Sequence, residues 1–226
     1  MNRSDVNEIL REGAAFIASF GWRLPPFADW TPEEFRARKD QAGAILGANL
    51  GWDLTDFGLG RYRDTGLFLF TTRNGREADL KAGRGMCYAE KIMWVRDRQV
   101  TPMHRHIIKA EDIINRGGGD LVLEIHGANT DGSVNRDHSL TVPCDGVPQR
   151  LTPGALLRLR PGESVTLLPG VWHSFWAEGG DALVGEVSTV NNDLTDNVFE
   201  EPVGRFAEIT EDEAAWRLLV SDYGRL

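Results

Sequence analysis

Turn dipeptides set the strongest limit on how this chain can fold. Asn74-Gly75, Asp131-Gly132, Asp145-Gly146, Pro153-Gly154, Pro161-Gly162 and Pro169-Gly170 cut most of the sequence into short pieces. Each favours a reversal, through glycine's access to positive φ or proline's fixed φ. Before, between and after them lie short apolar or alternating runs: Thr65 to Thr72, Tyr88 to Val95, Val100 to His106, Leu121 to Ile125, Leu156 to Leu159, Ser164 to Leu168, His173 to Ala177 and Ala182 to Val190. Short strands at this spacing build a sandwich or a barrel. The 226 residues suffice for one such domain, and 25 glycines with 7 tryptophans suit many turns around an aromatic interior.

Helices flank this region. Ser4 can cap a helix in which Val6, Ile9, Leu10, Ile17 and Phe20 recur near helical spacing, with Gly21 at its end. Pro25-Pro26 turns the chain. Thr31-Pro32-Glu33-Glu34 then reads as N-cap, first-turn proline and capping-box glutamate, opening a second helix to about Gly47. Thr210-Glu211-Asp212-Glu213 repeats the signature and predicts a C-terminal helix through Trp216, Leu218 and Leu219. The N-terminal helices are too short for a core of their own, so they brace the outside of the barrel. The expectation is a single domain: a helical extension over 1–50, a barrel over 51–200 and a C-terminal helical segment over 201–226.

The formal charge of −9, with no visible basic patch, argues against nucleic-acid binding. No apolar run approaches the roughly 20 residues needed to span a bilayer. The polar start, Met1-Asn2-Arg3-Ser4-Asp5, does not resemble a signal peptide. Cys87 and Cys144 form no CxxC pair and read as reduced thiols. These features point to the cytoplasm and away from membranes.

The chemistry concentrates in residues 101–120. His104 and His106 stand two apart, which puts both imidazoles on one face of a strand. Glu111 adds a hard oxygen, and His173 sits in a second strand-rich block after Pro169-Gly170. Imidazoles with a carboxylate suit a divalent first-row metal better than calcium or magnesium. These four residues are expected to build one metal site. His126 shares strand parity with Glu124, and His138 lies in a polar loop, so both read as surface residues.

Three further residues are candidates for proton handling. Lys91 falls on the otherwise apolar face of the strand Tyr88 to Val95, and is either paired at a site or solvated on an inverted sheet. Lys109 shares a face with Glu111 if that segment is extended, and is otherwise a solvated loop lysine. Glu186 is an acid in the apolar run Val184 to Ser188, either an edge charge or a site residue. The run Gly117-Gly118-Gly119 lacks the strand-loop-helix setting and the Lys-Ser/Thr of a phosphate loop. It reads as a tight connection into the strand from Leu121.

His104-x-His106 with Glu111 and Gly118 resembles the first cupin motif, although Arg98 stands where that motif opens with glycine. Pro169-Gly170-Val171-Trp172-His173 is similar to the second, with its proline displaced by one and Ala177 where asparagine is usual. The resemblance implies an all-β cupin barrel with a three-histidine, one-glutamate metal site. A closer resemblance runs through Leu24 to Ala28, Leu50 to Asp53, Tyr88 to Met93, Thr101 to His106, Glu111 to Gly119 and His173 to Trp176. It is to the D-lyxose isomerases of the cupin class. That likeness implies a homodimeric, manganese-preferring enzyme, with cobalt, iron and zinc as alternative metals. Its expected reaction interconverts D-lyxose with D-xylulose, and often D-mannose with D-fructose, through a cis-enediol. Glu111, Lys109, Lys91 and Glu186 are its candidate catalytic residues. An iron-dependent dioxygenase could use the same four ligands, and a non-catalytic sugar-binding cupin could keep them.

Overall fold

The computed structural model describes residues 1–226. Helix α1 spans Arg3–Ser19, α2 Pro32–Ala37, α3 Gly43–Gly47 and α4 Glu77–Lys81. Short 3-10 helices occupy Pro26–Asp29 and Val220–Arg225. The strands are β1 Gly51–Thr55, β2 Leu67–Arg73, β3 Tyr88–Val95, β4 Thr101–His106, β5 Glu111–Ala128 and β6 Val134–Asn135. They continue with β7 Leu140–Cys144, β8 Val147–Leu151, β9 Leu156–Leu159, β10 Ser164–Leu167, β11 Trp172–Thr189 and β12 Asn197–Phe199. The architecture is the expected all-β barrel with helices outside. No helix is long and apolar enough to cross a membrane.

Two 18-residue strands organise the barrel. β5 and β11 pair antiparallel along most of their length, and the main ladder runs β1-β2-β3-β11-β5-β10-β7-β8. β4 joins the first half of β11, placing His104 directly across from His173. β3 joins the second half, placing Lys91 across from Glu186. The sequence suggests separate strands at 121–125, 173–177 and 182–190, but each belongs to one of these two long strands. The glycine run is therefore a bend inside β5. Its register against β11 shifts there, and Gly118 and Gly119 lie so close to the facing backbone that a Cβ would stand 2.2 Å from the carbonyl oxygens of Asp181 and Gly180. Glycine supplies that close approach.

Apolar burial falls in two layers. The barrel interior holds Leu69, Met93, Val95, Ile113, Leu123, Val165, Phe175 and Val184 among others. A second layer, including Val6, Leu10, Ile17, Trp52, Phe68, Phe70, Ile92 and Trp94, lies between α1 and the outer sheet face. Gly13 lets the two surfaces meet, since a Cβ there would fall 2.2 Å from the Phe68 ring. Much of β3 is thus buried on both faces, and its inner face carries Lys91 into the barrel.

Three local expectations change. The second N-terminal helix stops at Ala37 and resumes as α3, because only Pro32 and Phe35 of α2 are buried and a short helix depends on such packing. The C-terminal helical element is the 3-10 turn at 220–225, while 210–219 holds no helix. Its acidic residues are used elsewhere. Glu211 accepts from Arg3 at 2.8 Å, Asp212 from Ser4 Oγ at 2.6 Å and Glu213 from Asn7 at 2.6 Å, so the segment is pinned across the start of α1. Ser4 is used by that contact, and Asn2 takes the cap position. His126, expected at the surface, is buried and donates to Glu124 at 2.7 Å beside Trp172. His138 is exposed.

Arg3 ties both chain ends together, its buried guanidinium donating to Asp222 at 2.8 Å as well as to Glu211. Removing one member of a buried ion pair leaves the other uncompensated, so Arg3→Ala is expected to cost about 3 kcal/mol in urea denaturation. An unchanged midpoint would show that this junction does not hold the fold. The hydrogen bond from Arg3, assisted by Arg225, pulls the Glu211 carboxyl down to about 2. A depressed carboxyl stabilises fully above its unfolded value near 4.5, and that contribution is lost as pH falls toward 2.

Candidate functional site

The barrel places His104 and His106 on β4 and His173 on β11, all buried. Their ring centroids lie 4.1 to 5.6 Å apart, and one nitrogen from each falls within 4.8 Å of the others. The backbone selects two of the tautomers. His104 Nδ1 donates to the Pro102 carbonyl at 2.8 Å and His173 Nδ1 to that of Val171 at 3.2 Å, leaving each Nε2 a free lone pair. Glu111, at the start of β5, brings Oε1 to 3.2 Å from His106 Nε2 and 3.1 Å from His173 Nε2. Yet His106 Nε2 and Glu111 Oε1 have no hydrogen-bond partner, being close but misaligned.

Buried, convergent and unpartnered donors fit a metal, and this three-histidine group can hold one. Their protonation fits as well. Burial, followed by the neighbouring imidazoles, pushes His104 well below its ordinary value, and burial lowers His106. Burial alone would raise the Glu111 carboxyl, but the Lys109 ammonium together with His106 and His173 outweighs it and holds the group well below the usual carboxylate range. Neutral imidazoles and an ionised carboxylate are what a divalent cation requires.

Beside this cluster runs a ladder of buried charges. Lys109 Nζ lies 2.6 Å from Glu111 Oε2 and 2.9 Å from Glu186 Oε1. Lys91 Nζ lies 3.4 Å from the same Glu186 oxygen and 3.6 Å from Asp193, and donates to Asn191 at 2.9 Å. Arg205 then bridges Asp193 at 2.9 Å and Asp53 at 2.5 Å. From Asp53 to Glu111 the signs alternate without a break. Burial would lower Lys109, but Glu111 and Glu186 outweigh it and raise its value, so it is a fixed ammonium. Burial would likewise raise Glu186, but Lys109 and Lys91 outweigh it and keep it ionised.

All seven candidate residues named from sequence line one cavity of about 40 Å³. The alternatives left open for Lys91, Lys109 and Glu186 resolve to buried, paired positions on the barrel interior. Asp193 separates the cavity from a polar pocket of about 430 Å³, lining both. Phe57, Asn197, Phe199 and Arg205 also line it and have no local signature in the sequence. Thr101 Oγ1, Asn197 Oδ1 and Arg205 Nη1 are cavity-lining groups without hydrogen-bond partners.

The D-lyxose isomerase family matches residues 1–223 of the chain. The chain is 47% identical over 230 residues to the D-lyxose/D-mannose isomerase of Escherichia coli O157:H7, covering 99% of this chain and 98% of that protein. It is also 47% identical to the enzyme of the same description from Serratia proteamaculans, covering 100% and 99%. Among solved structures, L-ribose isomerase of Acinetobacter sp. DL28 in complex with L-ribose superposes with a TM-score of 0.62 at 16% identity, covering 93% of this chain and 98% of that one. At that identity the likeness concerns the fold.

Proposed function

We propose a substrate and a mechanism from one premise: the chain belongs to the D-lyxose isomerase family, and it is an isomerase. The reading is an aldose–ketose isomerase that interconverts D-lyxose with D-xylulose and D-mannose with D-fructose. One observation carries it. A buried ammonium, Lys109, bridges the ligand carboxylate Glu111 and the non-ligand carboxylate Glu186, so an ionised base and a proton donor stand together beside the histidine cluster. Moving a carbonyl between adjacent carbons needs that pair, whereas oxygen insertion does not. The unpartnered polar groups in the cavity wall support a hydroxyl-rich ligand, because substrate hydroxyls can satisfy them.

In this reading Glu186 removes the proton from C2 of the open-chain aldose, and the C–H electrons form the C1–C2 double bond. The C1 carbonyl oxygen takes up a proton from the Lys109 ammonium, which is restored by the proton of the C2 hydroxyl in the next step, and a cis-enediol results. Glu186 returns its proton to C1 while the C2 hydroxyl gives up its own, leaving the ketose with no atom gained or lost. His104, His106, Glu111 and His173 would hold a divalent metal, which when bound supplies Lewis-acid polarisation of the substrate oxygens. Manganese is the proposed metal, ahead of cobalt, iron and zinc. The proposed setting is a cytoplasmic homodimer, the compartment supported by two free cysteines.

The test is a panel of aldoses offered to chelator-treated protein reloaded with single metals, with ketose measured under anaerobic conditions. D-lyxose and D-mannose are expected to turn over best with manganese. Oxygen uptake that depends on iron would sink the isomerase in favour of a dioxygenase. Sugar binding without ketose would leave a non-catalytic barrel.

A further inference from the structure

We infer that Asp196 is a positioning residue of this isomerase, fixing the loop that presents Lys109 to the metal cluster; the inference rests on the isomerase reading above. Between β4 and β5 the chain leaves the ladder for four residues, 107–110, flanked by two of the candidate ligands. The first two side chains of the loop do not explain its placement, since Ile107 and Ile108 are 53% and 45% exposed. One buried carboxylate does. Asp196 Oδ1 accepts from the backbone N–H of Ile107 at 3.0 Å and of Ile108 at 2.7 Å, and Oδ2 accepts from that of Lys109 at 3.0 Å.

Three consecutive amides aimed at one anion form a charge-assisted nest, stronger than three neutral contacts. Asp196 is only 4% exposed, and its own amide donates to the Asn192 carbonyl at 3.0 Å, so the anion is itself fixed. It does not line the site cavity. Its Oδ2 stands 4.0 Å from His106 Nδ1 without a hydrogen bond, so its influence passes chiefly through the backbone of Lys109 to the ammonium between Glu111 and Glu186. His106 and Glu111 are anchored by strand pairing on β4 and β5, so the metal cluster does not depend on the nest to the same degree.

Asp196→Asn keeps the shape but offers a single acceptor oxygen and an NH₂ that repels an amide donor. In the metal-loaded enzyme kcat is expected to fall about 10- to 100-fold, as displacements near 1 Å do. KM for the aldose and the manganese affinity of the chelator-treated protein, titrated directly, should each hold within about threefold. The amides of 107–109 should exchange with deuterium at least about tenfold faster while those of β3 do not change. Any one of three results overturns the inference: a wild-type kcat, a loss of metal affinity in step with kcat, or unchanged protection of 107–109. Should Asp196→Asn fail to fold, the wild-type protein decides. Its amides at 107–109 should be as protected as those of β4, and exchange at open-loop rates would overturn the inference. Failure of the wild type to convert any aldose would instead refute the isomerase reading, and the exchange and metal measurements would still report whether Asp196 holds the loop.

Discussion

The His173→Ala protein is expected to fold, to lose its metal and to lose nearly all turnover. His173 is 1% exposed at the centre of the barrel, paired across to His104, with its free Nε2 beside Glu111 Oε1. Removing a group that merely orients a ligand costs about 10- to 100-fold in metal affinity. Removing a ligand should therefore cost more than about 10²-fold, beyond what dialysed protein retains. Metal content by mass spectrometry and manganese titration by calorimetry read the effect directly, and urea denaturation checks that the chain still folds. His126→Ala is the matched control. That imidazole is equally a buried histidine on a barrel strand, but it donates to Glu124 and lies outside the three-histidine group. It should keep the metal and most of the activity. If His173→Ala retained stoichiometric metal, or if His126→Ala lost it, the site would be misassigned.

The contrast between these two histidines shows what the sequence exposes. His104 and His106 are legible because a two-residue spacing on a strand is local, and Glu111 and His173 follow from turn and strand signals around them. Glu186 is legible as an acid in an apolar run. Asp193, Asp196 and Arg205 are not legible. Their partners lie far off in the chain, Arg205 meeting Asp53 and Asp196 meeting 107–109 across a barrel that must close first. Parity misplaces His126, because the face it shares with Glu124 is covered by packing against Trp172 rather than by solvent. The capping-box pattern at 210–213 misleads for a related reason. Acids that could cap a local helix instead serve Arg3, Ser4 and Asn7, and tertiary contacts win over a local signal worth about 1 kcal/mol.

Lys109→Ala should keep the metal and lose catalysis, with a pH dependence that identifies the cause. The ammonium lies between two buried carboxylates, 2.6 Å from Glu111 and 2.9 Å from Glu186. With it gone, Lys91 alone faces Glu186, at 3.4 Å. Two buried carboxylates that had shared a cation then disfavour each other's ionisation. In the wild type Glu186 sits below its ordinary value, chiefly because Lys109 and Lys91 outweigh burial, so the acid limb of kcat should fall below the usual carboxylate range. In Lys109→Ala that limb should move upward, because burial acts with less opposition. Stability follows the same sign. A depressed carboxyl stabilises above its unfolded value near 4.5 and loses that contribution as pH falls. The variant should therefore lose stability at neutral pH and show a smaller fall on acidification than the wild type. Turnover should drop about 10²- to 10⁴-fold, the range for a positioned acid or base. Glu186→Gln should give a similar loss with metal retained, and the double variant should lose little more, because residues acting as one unit are not additive. Metal loss from Lys109→Ala in step with activity would make the lysine a structural support for Glu111. An acid limb that stays in place would remove Glu186 as the base.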